Sequence, residues 1–317
     1  MATATTVTAA GERETLADII YKVDSDETPI FSSIDKETSN GIFTEWQTQE
    51  LAAASATNFV AEGADMSDSG VTATVRLGNY HQISQKGYII SNTLDAVDKA
   101  GRDREVAYQR VLKGLELRRD IEKAIGDTDV ARASGATRKS ASLTCWITNG
   151  SVGASAGAFA TGDGTDTVTG GDDRALTLAL IDDAMQDSWS DGGAPSIAVM
   201  SATNRANISD LTQSGTNLVT NQVNTTASKP ITFNGAVSVL FNDFGQLEVI
   251  PSRFMSNDKV FLIDPDHVAV GAINGRNFVE QEIAPTGDAT KRQILCEWTL
   301  QPDAPKAHAA VIGLSGS

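Results

Sequence analysis

The spacing of apolar residues along the chain switches between helical and alternating, and the switches predict its elements. Leu16, Ile19, Ile20 and Val23 fall at i, i+3, i+4 and i+7, which predicts a short amphipathic helix ending before Pro29. Ile42 to Thr48 reads as a strand with Phe43 and Trp46 as its large apolar groups. Alternation resumes from Val75 to Ile90 and predicts two strands meeting around Gly78 and Asn79. Between these strands, Leu51 to Thr74 is rich in Ala, Ser, Thr, Gly and Asp and contains no Lys or Arg. Such a stretch cannot build a core. A connection of this length is either functional or disordered, so it reads as the tip of a long two-stranded excursion.

The strongest helical pattern runs from Arg102 to Ile125, between Gly101 and Gly126. At ~1.5 Å per residue it predicts a rod of ~35 Å. Its apolar stripe passes from Tyr108, Val111, Leu112 and Leu115 to Leu117, Ile121, Ala124 and Ile125. That sideways shift predicts different neighbours along the helix. Gly114, in its middle, is expected to mark close backbone approach. Ser151 to Gly171 has loop composition. A second helix is expected from Arg174 to Trp189, capped by Asp172 or Asp173, with Leu178, Ile181, Met185 and Trp189 as its stripe. Ile197 to Met200 predicts a buried strand, and Ser201 is expected to cap a helix carrying Ile208 and Leu211. After the polar stretch Thr212 to Lys229, the last third turns to strands: Ala236 to Phe241, Gln246 to Ile250, Lys259 to Ile263, His267 to Ile273 and Gln293 to Leu300. In the last of these, Ile294, Cys296, Trp298 and Leu300 share one face. Helices in the middle and strands at the end predict an α+β architecture without internal repeats.

Composition narrows the function classes. The chain has 317 residues, 40% apolar and 21% charged, enough for a substantial core. Its 25 basic and 41 acidic residues leave a net charge of −16. An acidic surface of this kind repels phosphate backbones, which disfavours tight nucleic-acid binding. Neither a signal peptide nor a run of the ~20 apolar residues that a membrane span needs is present, so cytoplasmic folding is expected. Cys145 and Cys296 lack metal-site spacing and are expected to be free and buried.

Each candidate for chemistry has a plainer reading. Gly153-Ala154-Ser155-Ala156-Gly157 matches G-x-S-x-G, but a nucleophile elbow needs a strand before the serine and a helix after it, and the flanking composition predicts neither. Thr161 to Thr169 is close to a calcium-binding nonapeptide, yet that site needs stacked copies and only one is present. His81, His267 and His308 have no metal-ligand spacing. Asp264-Pro265-Asp266 could pair carboxylates for acid–base work, but between two apolar strands it reads as a turn in which Asp bonds its own backbone. No catalytic, cofactor-binding or metal-ligating residues are therefore assigned.

Several segments in order resemble the major head proteins of tailed bacteriophages with the Hong Kong 97 (HK97) capsid fold. They are Leu16 to Ile20 with Glu27 to Ile34; Glu45-Trp46-Gln47-Thr48; Ala100-Gly101-Arg102 with Glu105 to Gln109; Glu116 to Glu122; Asn242-Asp243-Phe244-Gly245; Asp264-Pro265-Asp266; and Thr286 to Arg292. The resemblance implies a non-enzymatic virion protein, assembled in the host bacterial cytoplasm into an icosahedral shell around the DNA genome. It implies an N-terminal arm (1–44) reaching a neighbour and an extended loop (45–90) lying over the next subunit. A peripheral domain with the long spine helix (91–172), an axial domain (173–250) and C-terminal strands returning to the peripheral domain (251–317) would follow. The implied partners are copies of the chain in hexamers and pentamers, a separate scaffolding protein, a portal, a decoration protein and packaged DNA bound without sequence specificity, with no membrane. Some members crosslink through a lysine in the extended loop. Leu51 to Thr74 contains no lysine, so no such isopeptide is expected. The opening segment begins near Gly11, so the scaffold is expected to be a separate chain. A secreted or surface-layer adhesion protein is the alternative suggested by the Ala/Thr/Gly/Ser-rich loops, and the missing export signal argues against it.

Overall fold

The computed structural model describes residues 22, 24–66, 70–214 and 238–315. The predicted helix at Leu16 to Val23 and most of the polar stretch Thr212 to Lys229 lie outside them. In chain order the elements are α1 (Pro29–Ser33), β1 (Asp35–Ser39), β2 (Phe43–Thr48), β3 (Val75–Tyr80), β4 (Gln82–Ser91), α2 (Asn92–Ala96) and α3 (Glu105–Gly126). Then come β5 (Asn149–Val152), α4 (Leu178–Ser190), β6 (Ile197–Met200), α5 (Ala202–Ser214), β7 (Val239–Asn242) and β8 (Gly245–Pro251). The chain closes with β9 (Lys259–Ile263), β10 (Val268–Ile273), β11 (Val279–Ile283), β12 (Ala289–Pro302) and β13 (Ala309–Ile312).

Two sheets carry the structure. In the first, the long strand β12 pairs along one edge with β11 and then β10, and along the other with β4; β1 adds in parallel to β10. The second runs β5-β13-β9-β6-β8-β7. Its central strands are apolar throughout because both faces are covered. Val199, Phe261, Ile263, Ala310 and Ile312 face a core shared with α1, α3 and the first sheet. Their neighbours Ala198, Met200, Val260, Leu262, Ala309 and Val311 face a second core with Ile181 and Met185 of α4 and Ile208 of α5. Burial of Ile294, Cys296, Trp298 and Leu300 in the first core accords with the predicted face of β12. The six-stranded sheet ignores the boundary expected at residue 251. β9 pairs in it with β6 and β13 with β9, whereas β10 to β12 join the first sheet.

The long helix α3 buries Leu117, Ile121 and Ile125, spaced four apart, so its C-terminal half packs deepest into the body, while Val106 near its start borders the first core. In the N-terminal half Val111 is exposed, while Tyr108, Leu112 and Leu115 are half-buried. The predicted shift of the stripe is thus a change from core to surface. A Cβ at Gly114 would meet nothing within 4 Å, so this glycine does not mark close approach. Helix α4 starts later than predicted and is capped by Thr177, whose hydroxyl accepts the Leu180 N–H, rather than by Asp172 or Asp173. Ser201 caps α5 as expected, accepting the Asn204 N–H at 3.3 Å.

The N-terminal segment departs most from expectation. Pro29 opens a helix, α1, at the first helical position where its missing N–H costs nothing. Ile30, Phe31 and Ile34 are buried in the first core, and β1 pairs with β10. Residues 29–39, within the expected arm, are therefore built into this chain's own body.

Candidate interaction surfaces

The two-stranded excursion is present. β2 pairs with β3 from Phe43 opposite Tyr80 to Thr48 opposite Val75. The break before β4 falls at His81, not at Gly78 and Asn79, which lie inside β3. Gly78 is required there by packing, because a Cβ would stand 2.7 Å from the Phe43 ring, which lies 4.4 Å from that of Tyr80. Its carbonyl accepts a hydrogen bond from Arg132. Trp46 meets Trp146 of the body at 5.3 Å. The root of the excursion is thus anchored.

Its distal part is not. Every described residue from 49 to 74 is exposed. Leu51 is 97% exposed, Phe59 84%, Met66 86% and Val71 94%. Large apolar side chains this bare on a common segment mark a candidate interaction surface. The ion pair between Glu50 and Lys306 at 2.8 Å joins the loop to the body near its start, but both groups are solvated and such pairs hold weakly.

Two further surfaces are open among the described residues. On α3, Tyr108, Leu112 and Leu115 line a groove of about 780 Å³ with Phe254, bordered by Lys86, Arg119 and Lys123. At the far end of the second sheet, Trp189 packs on Phe244 at 5.6 Å, and Phe241 nearby in sequence is 79% exposed.

The chemical candidates resolve into local structure. β5 does precede Ser155, contrary to the sequence reading, but a turn rather than a helix follows it. The Ser155 hydroxyl donates to Asp172, and none of the three histidines is among its partners. In the nonapeptide-like loop, Asp166 accepts the Thr161 N–H at 3.0 Å, and Asp163 accepts the Thr165 N–H at 2.9 Å and hydroxyl at 2.6 Å. Burial would raise the Asp163 carboxyl, but these bonds from Thr165 and Thr161 outweigh it and hold it below its ordinary value. The aspartates thus serve the loop itself. Among the described residues no group of three or more His, Cys, Asp or Glu could hold a metal ion. Asp264 accepts the Asp266 N–H at 3.2 Å, the predicted turn.

Two of the three histidines are buried in the body. His308 is fully buried: Nδ1 accepts the Asp264 N–H at 3.1 Å, Nε2 faces the His267 carbonyl at 3.3 Å, and burial pushes its pKa down to about 4. The ring is neutral. His81 is also buried and depressed by desolvation. Cys145 and Cys296 are free and buried, and burial raises both thiols, Cys296 to about 11.

Sequence reasoning missed the buried polar groups that join distant segments. Glu122 accepts two backbone N–H groups of α1. Glu297, in β12, binds both Arg138 and Arg276. Lys259 reaches Asp129 at 2.8 Å. Nothing local signals these pairings, since each partner is over ninety positions away except Arg276, and its separation of 21 matches no helical or strand period.

Comparison with known proteins gives these surfaces a context. A family model described as SU10 major capsid protein matches residues 2–315. The major capsid protein of Escherichia phage Phieco32 is 34% identical over 115 residues, 36% of this chain and 33% of that protein. The matched stretch thus spans a third of that relative's length. Among solved structures, the Cyanophage A-1(L) capsid asymmetric unit aligns with a TM-score of 0.65 at 10% identity, covering 98% of each chain. The holo-SrpI encapsulin complex from Synechococcus elongatus aligns at 0.60 with 8% identity, covering 100% of this chain and 98% of that one. The fold is the HK97-like capsid fold. An encapsulin shares it, so the fold by itself does not single out phage heads, and the family match does.

Proposed function

Because the chain belongs to the SU10 major capsid protein family, we propose that it works by association, as the repeating subunit of a phage head shell, with no catalytic step of its own. The observation that carries this reading is the excursion: a segment of 49–74 that leaves the body on two paired strands and presents Leu51, Phe59, Val60 and Met66 uncovered. In a shell, symmetry repeats each contact, so a modest apolar loop laid on the next subunit gains by multiplicity.

The finer parts of the proposal follow the same logic. Residues 45–90 act as the extended loop, α3 as the spine of a peripheral unit containing the first sheet, and the second sheet with α4 and α5 as the axial unit. Copies in hexamers and pentamers, with a separate scaffolding chain, a portal and a decoration protein, are the proposed partners, and assembly precedes release in the host cytoplasm. Since 29–39 belong to the body, the arm is confined to residues before them. The net charge of −16 supports a wall that packaged DNA does not adhere to.

The lysine-free stretch Leu51 to Thr74 supports a shell held without isopeptides from the tip of the loop. A denaturing gel of assembled particles tests this: monomers alone are expected, and a ladder of covalent multimers would overturn it. Sedimentation of the purified full chain under assembly conditions tests the shell reading, which a persistent monomer under all conditions would contradict.

A further inference from the structure

The excursion leaves the body through a short root, and two fully buried polar side chains sit inside it. Asn79 has all its amide capacity engaged. Nδ2 donates to the Leu300 carbonyl at 2.7 Å and to Ser140 Oγ at 3.0 Å, and Oδ1 accepts the N–H of Ala141 at 2.9 Å and of Tyr80 at 3.0 Å. It thereby ties β3 to β12 and to the 140–141 segment. His81 stands at the junction of β3 and β4. Its Nε2 lies 2.8 Å from both Ser39 Oγ, at the end of β1, and Thr44 Oγ1, in β2. Its backbone N–H donates to the Ile42 carbonyl at 3.0 Å, and its carbonyl accepts from Arg138 Nε at 3.1 Å.

The imidazole is not there to fill space. Its Nδ1 is buried without a hydrogen-bond partner, a cost that an apolar side chain would avoid. What the ring supplies is Nε2, placed between two hydroxyls from two different strands. Apolar contacts at the root, Phe43 on Tyr80 and Trp46 on Trp146, add area but are non-directional, whereas hydrogen bonds fix angles.

We propose that Asn79 and His81 form a buried polar clasp that sets the direction in which the excursion leaves the body, so that bending occurs beyond Thr48 and Val75 and not at the root. His81 is a positioning residue for the loop. Assembly then receives a loop whose stem is already aimed, with adaptation confined to the exposed residues 49–74.

Pairs of spin labels on the unassembled full-length chain test this. Gln47→Cys with Val111→Cys reports the root, and Glu62→Cys with Val111→Cys reports the tip; the native cysteines are buried and do not take label. The root distance is expected to give a single narrow distribution and the tip a broader one. Glutamine reaches with its terminal amide along as many bonds as lead to Nε2, so His81→Gln is expected to keep the narrow root distribution. His81→Phe is expected to lose it. A root as narrow in His81→Phe as in the parent, a His81→Gln root as broad as that of His81→Phe, or a tip as narrow as the root would each overturn the proposal. Should His81→Phe fail to fold, Ser39→Ala with Thr44→Val removes both hydroxyls and leaves the ring; an unchanged root there also overturns it. The measurement needs no shell, so its failure leaves the shell-subunit reading standing, and failure of that reading leaves the clasp.

Discussion

Glu122 in α3 and Phe31 in α1, 91 positions apart, are joined by a buried hydrogen bond in which the carboxylate accepts the Phe31 N–H at 2.7 Å. The Ile30 N–H reaches the other oxygen at 3.0 Å, and Glu122 is 1% exposed. A single carboxylate thus satisfies the first free donors of a helix too short to be stable alone. Glu122→Ala would strand two buried N–H groups at roughly 1–3 kcal/mol each. A fall in the urea midpoint is expected, and a midpoint unchanged from the parent would show that α1 is held by packing alone.

The same residue carries a pH signature. Burial raises the Glu122 carboxyl above its ordinary 4.5, against the opposing pull of the Phe31, Ile30 and Ser252 bonds. The native state therefore holds the proton more tightly than the unfolded state. Its contribution is fully present below 4.5 and is lost as pH rises through the folded pKa. Glu122→Gln cannot ionise, so its stability is expected to lack this part of the slope in urea titrations across that window. Parallel slopes for the two proteins would exclude it.

His308 acts with the opposite sign. Its folded pKa, about 4, lies below the ordinary 6.5, so the stability it contributes is present above 6.5 and is lost as pH falls towards 4. The total is on the order of 3 kcal/mol. His308→Asn keeps an acceptor near the Asp264 N–H without a titrating ring. The variant is expected to lose less stability than the parent between pH 7 and pH 4.5, and an equal loss would exclude His308 as the cause.

Gly114 lies in the interior of α3 with open space where a Cβ would stand. Gly114→Ala is expected to stabilise the chain by about 1 kcal/mol, read as a raised denaturation midpoint. A lowered midpoint would mean that the helix needs the glycine.

Cys145 and Cys296 are buried with raised thiol pKa values. Reaction with a thiol reagent at neutral pH is expected only after unfolding. Rapid modification of the folded chain would place one of them at an accessible surface.

What the sequence made legible was whatever had a local cause. The face of β12, the burial of β6, the C-terminal half of α3 and the Asp264 turn each follow from spacing or turn chemistry within a few residues. β1 was missed because Asp-Lys-Glu-Thr-Ser has no apolar alternation; it is a strand because β10 offers it an edge. The break at His81 was misplaced because Gly78 looked like punctuation, although its missing side chain serves the Phe43 ring. Asn79, Glu122 and Glu297 look like ordinary polar residues until the fold brings their partners to them. The interaction surfaces were visible only as an anomaly: a stretch without lysine or arginine that could not build a core, whose exposed Leu51 and Phe59 make sense against another chain.

The most direct test of that account is electron microscopy of the purified full-length chain beside a variant in which Leu51, Phe59 and Met66 are replaced by serine. The parent is expected to form closed shells or capsomer rings, and the variant to remain as folded, unassembled subunits with an unchanged denaturation midpoint. Shells of the variant indistinguishable from those of the parent, or a parent that forms neither shells nor rings under any assembly condition, would contradict it.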